Sequence, residues 1–215
     1  MKKRLIAIFI VVTFLAGSMM PAFAITEYPN VSQGDPSSWA KEEVYWAIEL
    51  GMIPTTLQNN YQGAINRAQT AELICATIEH ATNRSIDWIL EYKGVTIDQN
   101  AFTDTKSKYV LAANALGIIK GVGNKKFNPN ATLTRAQAAA IANRMGDLFP
   151  NSSKKQGVRY EHHFKDVSKH WVNSELGWPV SAGIIKGVSK DKFAPDKILT
   201  VEQAIIIANR TMREI

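Results

Sequence analysis

The sequence predicts an all-α protein of three helix-loop-helix copies sharing one core in a pseudo-threefold arrangement. Three observations carry this. The run Gly117-Ile118-Ile119-Lys120-Gly121-Val122 recurs unchanged at Gly183–Val188, 66 residues on, and the same interval separates Phe127-x-Pro129 from Phe193-x-Pro195 and Ile141-Ala142-Asn143-Arg144 from Ile207-Ala208-Asn209-Arg210. Counting back by that interval from Gly117 reaches Gly51-Met52-Ile53, and Ile65-Asn66-Arg67-Ala68-Gln69 then aligns with Leu133-Thr134-Arg135-Ala136-Gln137 after a loop two residues shorter. Finally, one copy of about 66 residues buries too little surface to be stable alone, so the copies must pool their apolar faces. Copies at 25–96, 97–159 and 160–215 fill the chain and leave no room for a separate catalytic domain.

Residues 1–24 come first. Lys2, Lys3 and Arg4 precede an apolar run from Leu5 to Ala16, and Ala22-Phe23-Ala24 closes the segment. A basic start, a short apolar core and an A-x-A end predict a secretory signal peptide cut after Ala24. The apolar run is too short to span a bilayer, so the mature chain is expected to be exported and not membrane-spanning. Half of the formal charge of +6 sits in those three cations, leaving +3 on residues 25–215. That excess is weak support for nucleic acid as a partner. With 46% hydrophobic and 20% charged residues, the composition is that of an ordinary globular protein.

The first helix of each copy is read at Trp39–Leu50, Tyr109–Leu116 and Trp171–Ala182, with Pro179 expected to kink or break the third. Gly51, Gly117 and Gly183 then stand where a left-handed residue ends a helix. The Phe-x-Pro segments are expected to be extended, because proline biases its predecessor away from helix. Each second helix opens with a capping box, Asn66-x-x-Gln69, Thr134-x-x-Gln137 or Thr200-x-x-Gln203, in which cap and third residue satisfy each other's amides. Ala136, Ala138, Ala139, Ala140 and Ala142 let neighbouring helices approach closely. Polar connectors are read at 83–100 and 151–159, the first holding a short packed helix at Ile86–Leu90. Cys75 lies among Ala71, Ile74 and Ile78 and reads as a buried, inert thiol.

Several motifs, in the right order and spacing more than once, resemble the S-layer homology family of bacterial cell-surface proteins. The carriers are Phe164-x-Asp166-Val167 followed by Trp171, the two G-I-I-K-G blocks, Phe-x-Pro, and the L-T-R-A-Q block at 133–137. The resemblance implies three prongs around a central helical bundle. It also implies a non-catalytic anchor at the cell wall, whose partner is secondary cell-wall polysaccharide, often bearing acidic, pyruvylated sugars, held in grooves between adjacent prongs. A second reading keeps the same fold as a structural or adaptor protein that meets another surface or S-layer protein.

The residues themselves point to an anion site. Arg67 and Arg135 stand in the first turn of a helix, where the macrodipole disfavours a cation by roughly 0.3–1 kcal/mol. An acidic ligand meeting free amides and a guanidinium fork would explain both; an arginine stem packed over the preceding loop is the alternative. Thr134 caps the Arg135 helix beside that site. Lys120 and Lys186 could meet a carboxylate or simply be solvated. Gly121 and Gly187 allow a close backbone approach or a turn. Trp39 and Trp171, each 12 residues before its glycine, suit sugar stacking or a core anchor. Asp166, with Asp104, could accept sugar hydroxyls or cap a helix. In the third copy Val201 replaces the arginine and Glu202 satisfies the dipole, so at most two strong sites are expected. Glu161, His162, His163, Asp166 and His170 lack zinc spacing and read as solvated. No metal, cofactor or catalytic frame is expected, and no enzyme.

Overall fold

The computed structural model describes residues 34–155 and 161–215. The expected signal peptide, the first copy's Tyr28-Pro29-Asn30 (its counterpart of Phe164-x-Asp166) and the connector residues 156–159 lie outside these. The described elements are helices α1 (Lys41–Glu49), α2 (Arg67–Thr82), α3 (Ile86–Tyr92), α4 (Lys108–Ala115), α5 (Arg135–Leu148), α6 (Gly177–Ser181) and α7 (Val201–Glu214), with short 3-10 turns between them. Among the described residues the chain is helical, and β-structure is confined to isolated bridges.

Local signals in the sequence set most boundaries. Gly51, Gly117 and Gly183 adopt φ of +69°, +75° and +71°, the left-handed geometry that ends α1, α4 and α6. All three capping boxes form: the side chains of Asn66, Thr134 and Thr200 accept from the amides of Gln69, Gln137 and Gln203, whose own side chains accept from the cap amides. The short helix read at Ile86–Leu90 is α3, burying Ile86, Ile89 and Leu90.

One expectation is refined and one is corrected. The third copy's first helix breaks at Leu176, splitting into a 3-10 turn over Trp171–Glu175 and α6, rather than kinking at Pro179 itself. Pro179 has no amide for a carbonyl four residues back, so the disruption falls one turn before it. The Phe-x-Pro segments are not extended, since Asn128 and Ala194 sit at φ +59° and +57°. The carboxylate of Asp104 accepts from the amides of both Phe127 and Asn128 (2.9 and 2.8 Å), and Asp166 does the same for Phe193 and Ala194 (2.9 and 2.7 Å). Turning two successive amides onto one carboxylate is what bends the backbone left-handed.

The copies are joined by a closed cycle of backbone bonds. Ile65 donates to Leu199, Leu199 to Leu133, and Leu133 to Ile65. A second cycle surrounds it, in which Arg67 donates to Ala131, Arg135 to Lys197, and Val201 to Gly63. Each second helix thus begins on the loop of the next copy in the order first, second, third, first. Inside, α7 packs on both α2 and α5. Leu73, Ile74, Ile141, Met145, Ile207 and Ala208 from these helices line a narrow apolar cavity of about 30 Å³. The first helix of each copy packs outside, on the second helix of the copy before it: α4 on α2, the 171–175 turn on α5, and α1 on α7. Cys75 is fully buried, and burial pushes its thiol up to about 12. No helix among the described residues is long and apolar enough to cross a membrane.

Candidate binding grooves

The cyclic packing assembles two grooves from all three copies. Groove A, about 170 Å³, is walled by Arg67 of the first copy, Lys120, Gly121, Gln137 and Arg144 of the second, and Trp171 of the third. Groove B, about 250 Å³, repeats it one step on, with Arg135 of the second copy, Lys186, Gly187, Gln203 and Arg210 of the third, and Trp39 of the first. The arginine comes from the start of one second helix, the lysine from the next copy's loop, and the tryptophan from the copy after that. Seven of the ten expected site residues line these grooves besides Lys120, since Arg67, Gly121 and Trp171 meet in one and Arg135, Lys186, Gly187 and Trp39 in the other.

Each buried arginine is a strut as well as a charge. Arg67 is only 5% exposed. Its Nε donates to the carbonyl of Phe127 (2.8 Å) and its Nη2 to that of Lys120 (2.6 Å), with the guanidinium 4.5 Å over the Phe127 ring. Arg135, 8% exposed, donates from Nε to Phe193 (2.9 Å) and from Nη2 to Lys186, 4.8 Å over Phe193. Burial lowers both guanidinium pKa values, with Asp104 and Asp166 opposing that shift by their charge. Nη1 of each remains without a protein partner among the described residues, so each head braces the next copy's loop and still presents cationic N–H groups to the groove floor.

The helix starts themselves are not open to an anion, contrary to the sequence expectation. The amides of Arg67 and Ala68 are taken by the carbonyls of Ala131 and Pro129, and those of Arg135 and Ala136 by Lys197 and Pro195. The third amide goes to the cap. Thr134 spends its hydroxyl on Gln137 (3.3 Å) and does not line either groove. Asp166 also stands outside them, because both of its oxygens hold the 193–194 loop. Gly121 and Gly187 have no positive φ. A Cβ on Gly121 would come within 2.7 Å of the Phe102 ring, and one on Gly187 within 2.4 Å of Phe164. Glycine is demanded there by the aromatic packed behind the groove wall. The tryptophans are not core anchors: Trp39 is 60% and Trp171 55% exposed, leaving ring face open on each groove rim.

Arg144 and Arg210 enter the grooves without having been singled out in the sequence. The Ile-Ala-Asn-Arg block, present in the second and third copies, was their signal. Arg144 lies 3.5 Å from Glu175, and Arg210 Nε 3.0 Å from Glu43, each glutamate coming from the same first-helix segment as the groove's tryptophan. Among the described residues, no cluster of three or more His, Cys, Asp or Glu could hold a metal ion.

Residues 98–139 and 163–205 match the model of the S-layer homology domain. The chain is 25% identical over 212 residues to an S-layer protein of Bacillus licheniformis, covering 94% of this chain and 22% of that protein. It is 32% identical over 120 residues to a cell surface protein of Thermoanaerobacter kivui, covering 52% of this chain and 15% of that protein. It is also 29% identical over 129 residues to an uncharacterized cell wall amidase of Bacillus anthracis, covering 56% of this chain and 23% of that one. The chain spans less than a quarter of the length of each of these relatives.

Proposed function

We propose that this chain, whose second and third copies carry S-layer homology domains, is a non-catalytic anchor that binds an acidic, pyruvate-bearing cell-wall polysaccharide in grooves A and B. The first copy is a third, divergent repeat in this reading, and the three form a pseudo-threefold domain with boundaries near residues 96 and 159. The module acts outside the cell after its signal peptide is removed. One observation carries the proposal: the same set of two arginines, one lysine, one glutamine and an open tryptophan face is built twice, each time from three separate copies.

The chemistry suits such a ligand. A sugar ring stacks its C–H face on an indole while a carboxylate substituent meets a guanidinium N–H and an ammonium. The arginines are set in a buried or partly buried wall, where charge attraction is screened less than on open surface. S-layer proteins and a wall amidase share this segment as a minor part of their length. That distribution supports a portable wall-targeting unit over a catalytic one.

The test is co-sedimentation of the chain with purified cell walls before and after stripping of their secondary polysaccharide. Wild-type protein pellets with intact walls only, and a Trp39→Ala/Trp171→Ala double variant, which touches no core contact, stays in the supernatant. Pelleting with stripped walls would redirect the proposal to peptidoglycan. Failure to pellet with either, joined by concentration-dependent self-assembly in sedimentation velocity, would put the adaptor role in its place.

A further inference from the structure

Groove A does not end at Arg144. Lys120 and Arg144 also form one wall of a second cleft of about 340 Å³, closed by Leu116, Gly117, Asp147 and Leu148. The two cations therefore stand on the ridge between two adjoining depressions, one with Trp171 at its rim and the other with a carboxylate. Asp147 is held in place by Lys154 (2.6 Å) and Lys155 (3.4 Å), about half of its side chain remaining exposed. Its carboxylate is an acceptor in a region otherwise rich in donors.

The matching place beside groove B is built differently. Arg213 occupies the position of Asp147 and Glu214 that of Leu148. The Arg213 guanidinium stacks 4.5 Å over the Trp46 ring of α1. The cations of that groove are held more tightly too, since Arg210 engages both carboxylate oxygens of Glu43 whereas Arg144 reaches Glu175 only at 3.5 Å. The two grooves share a first subsite and differ in what lies next to it.

We propose that groove A is a two-unit site, its acidic sugar lying against Trp171 with the carboxylate across Lys120 and Arg144, and the adjoining neutral sugar of the same polymer in the second cleft with a hydroxyl donating to Asp147. Groove B is a one-unit site. The inference rests on the acidic-glycan reading above and adds its length and order.

Two probes test it by isothermal titration calorimetry on the full chain: a pyruvylated hexose, and the disaccharide in which one neutral hexose extends it. Trp39→Ala leaves groove A as the working site, and Trp171→Ala leaves groove B. In the Trp39→Ala chain the disaccharide binds about fivefold tighter than the monosaccharide, the scale of one added hydrogen bond. Asp147→Asn in that background removes the preference and leaves monosaccharide affinity unchanged. In the Trp171→Ala chain both probes bind alike. Equal affinity for the two probes at groove A, or an Asp147→Asn loss that strikes both probes equally, overturns the second subsite while leaving the first intact. Absence of binding by either probe to the wild-type chain overturns the glycan reading itself.

Discussion

The junction between the third and first copies closes by the same backbone bonds as the other two and carries none of their cations. Val201 stands where Arg67 and Arg135 are, Pro54 where Lys120 and Lys186 are, and Ala76 where Arg144 and Arg210 are. Yet Val201 donates to Gly63 and Glu202 to Tyr61, as Arg67 and Ala68 donate to Ala131 and Pro129. The Glu202 carboxylate, 3% exposed, accepts from the amide and hydroxyl of Ser37 (2.8 and 2.9 Å), sewing the segment before α1 onto α7. A helix start can therefore be joined to the next copy's loop with an apolar residue in the first turn. The fold does not require a buried arginine there; the two junctions that keep one bear the cost of desolvating it. Under the anchor proposal, that difference is stability given up for binding at grooves A and B.

The comparison breaks first at its centre. Arg135→Ala strips hydrogen bonds from the carbonyls of Phe193 and Lys186 and is expected to cost about 3 kcal/mol, against about 1.5 kcal/mol for the two methyls lost in Val201→Ala. Urea denaturation measures both. Val201→Ala should leave wall binding as it was, whereas Arg135→Lys, which keeps the charge but not the fork, should cost groove B its ligand. Equal losses of polysaccharide binding in Arg135→Ala and Val201→Ala would end the distinction between the junctions.

Next in size are the rims. Trp39→Ala and Trp171→Ala should each weaken one groove about tenfold, the scale of a lost aromatic contact. Stability should change by less than about 0.5 kcal/mol, as for surface positions generally. Calorimetry on either variant should resolve one site at wild-type affinity and one about tenfold weaker. A site of undiminished affinity in the double variant would show that the cation-free junction binds after all.

The caps come third and should ignore the comparison altogether. Thr134→Ala and Thr200→Ala each remove a side-chain acceptor from a helix start and should cost about 1 kcal/mol alike, beside a groove or away from one. Monosaccharide affinity should be unaffected in both.

What was legible in the sequence follows the same division between local and cyclic. Helix stops at Gly51, Gly117 and Gly183, the three capping boxes and the burial of Cys75 depend on residues within a turn or two, and short-range pattern was enough. The grooves depend on which copy meets which. Nothing within the first copy says that Trp39 will face Lys186 of the third. Arg135 and Arg144 are nine residues apart, about 900° around the helix axis and so on opposite faces; α5 serves groove B with its start and groove A with its body. Read as an isolated helix start, Arg135 seemed to sit beside open amides. The carbonyls that close them belong to the next copy's loop, and Asp166 was likewise misplaced because its partners lie 27 and 28 residues on.

The smallest expected effect is on pH, and it separates the copies once more. The amide of Phe127, aided by that of Asn128, holds the Asp104 carboxyl below its usual range against the pull of burial. At Asp166 burial is the largest influence and raises the value, but the amides of Phe193 and Ala194 together outweigh it, so the net shift is again downward. A carboxyl depressed in the folded state contributes stability that is fully present above its unfolded value, about 3.9, and is lost as pH falls through the lower folded value. The Asp104→Asn/Asp166→Asn variant should thus be less stable than wild type at neutral pH, and the gap in urea midpoint should begin to narrow below about pH 4 and close below the folded values. Asp166 is exposed and Asp104 only partly covered, so the gap is small. The first copy has neutral Asn30 at the aligned position, and Asn30→Ala should produce no difference that changes across that same window. A gap that persists unchanged to the lowest pH would mean that the loops of the second and third copies are held by shape rather than by the charge on their aspartates.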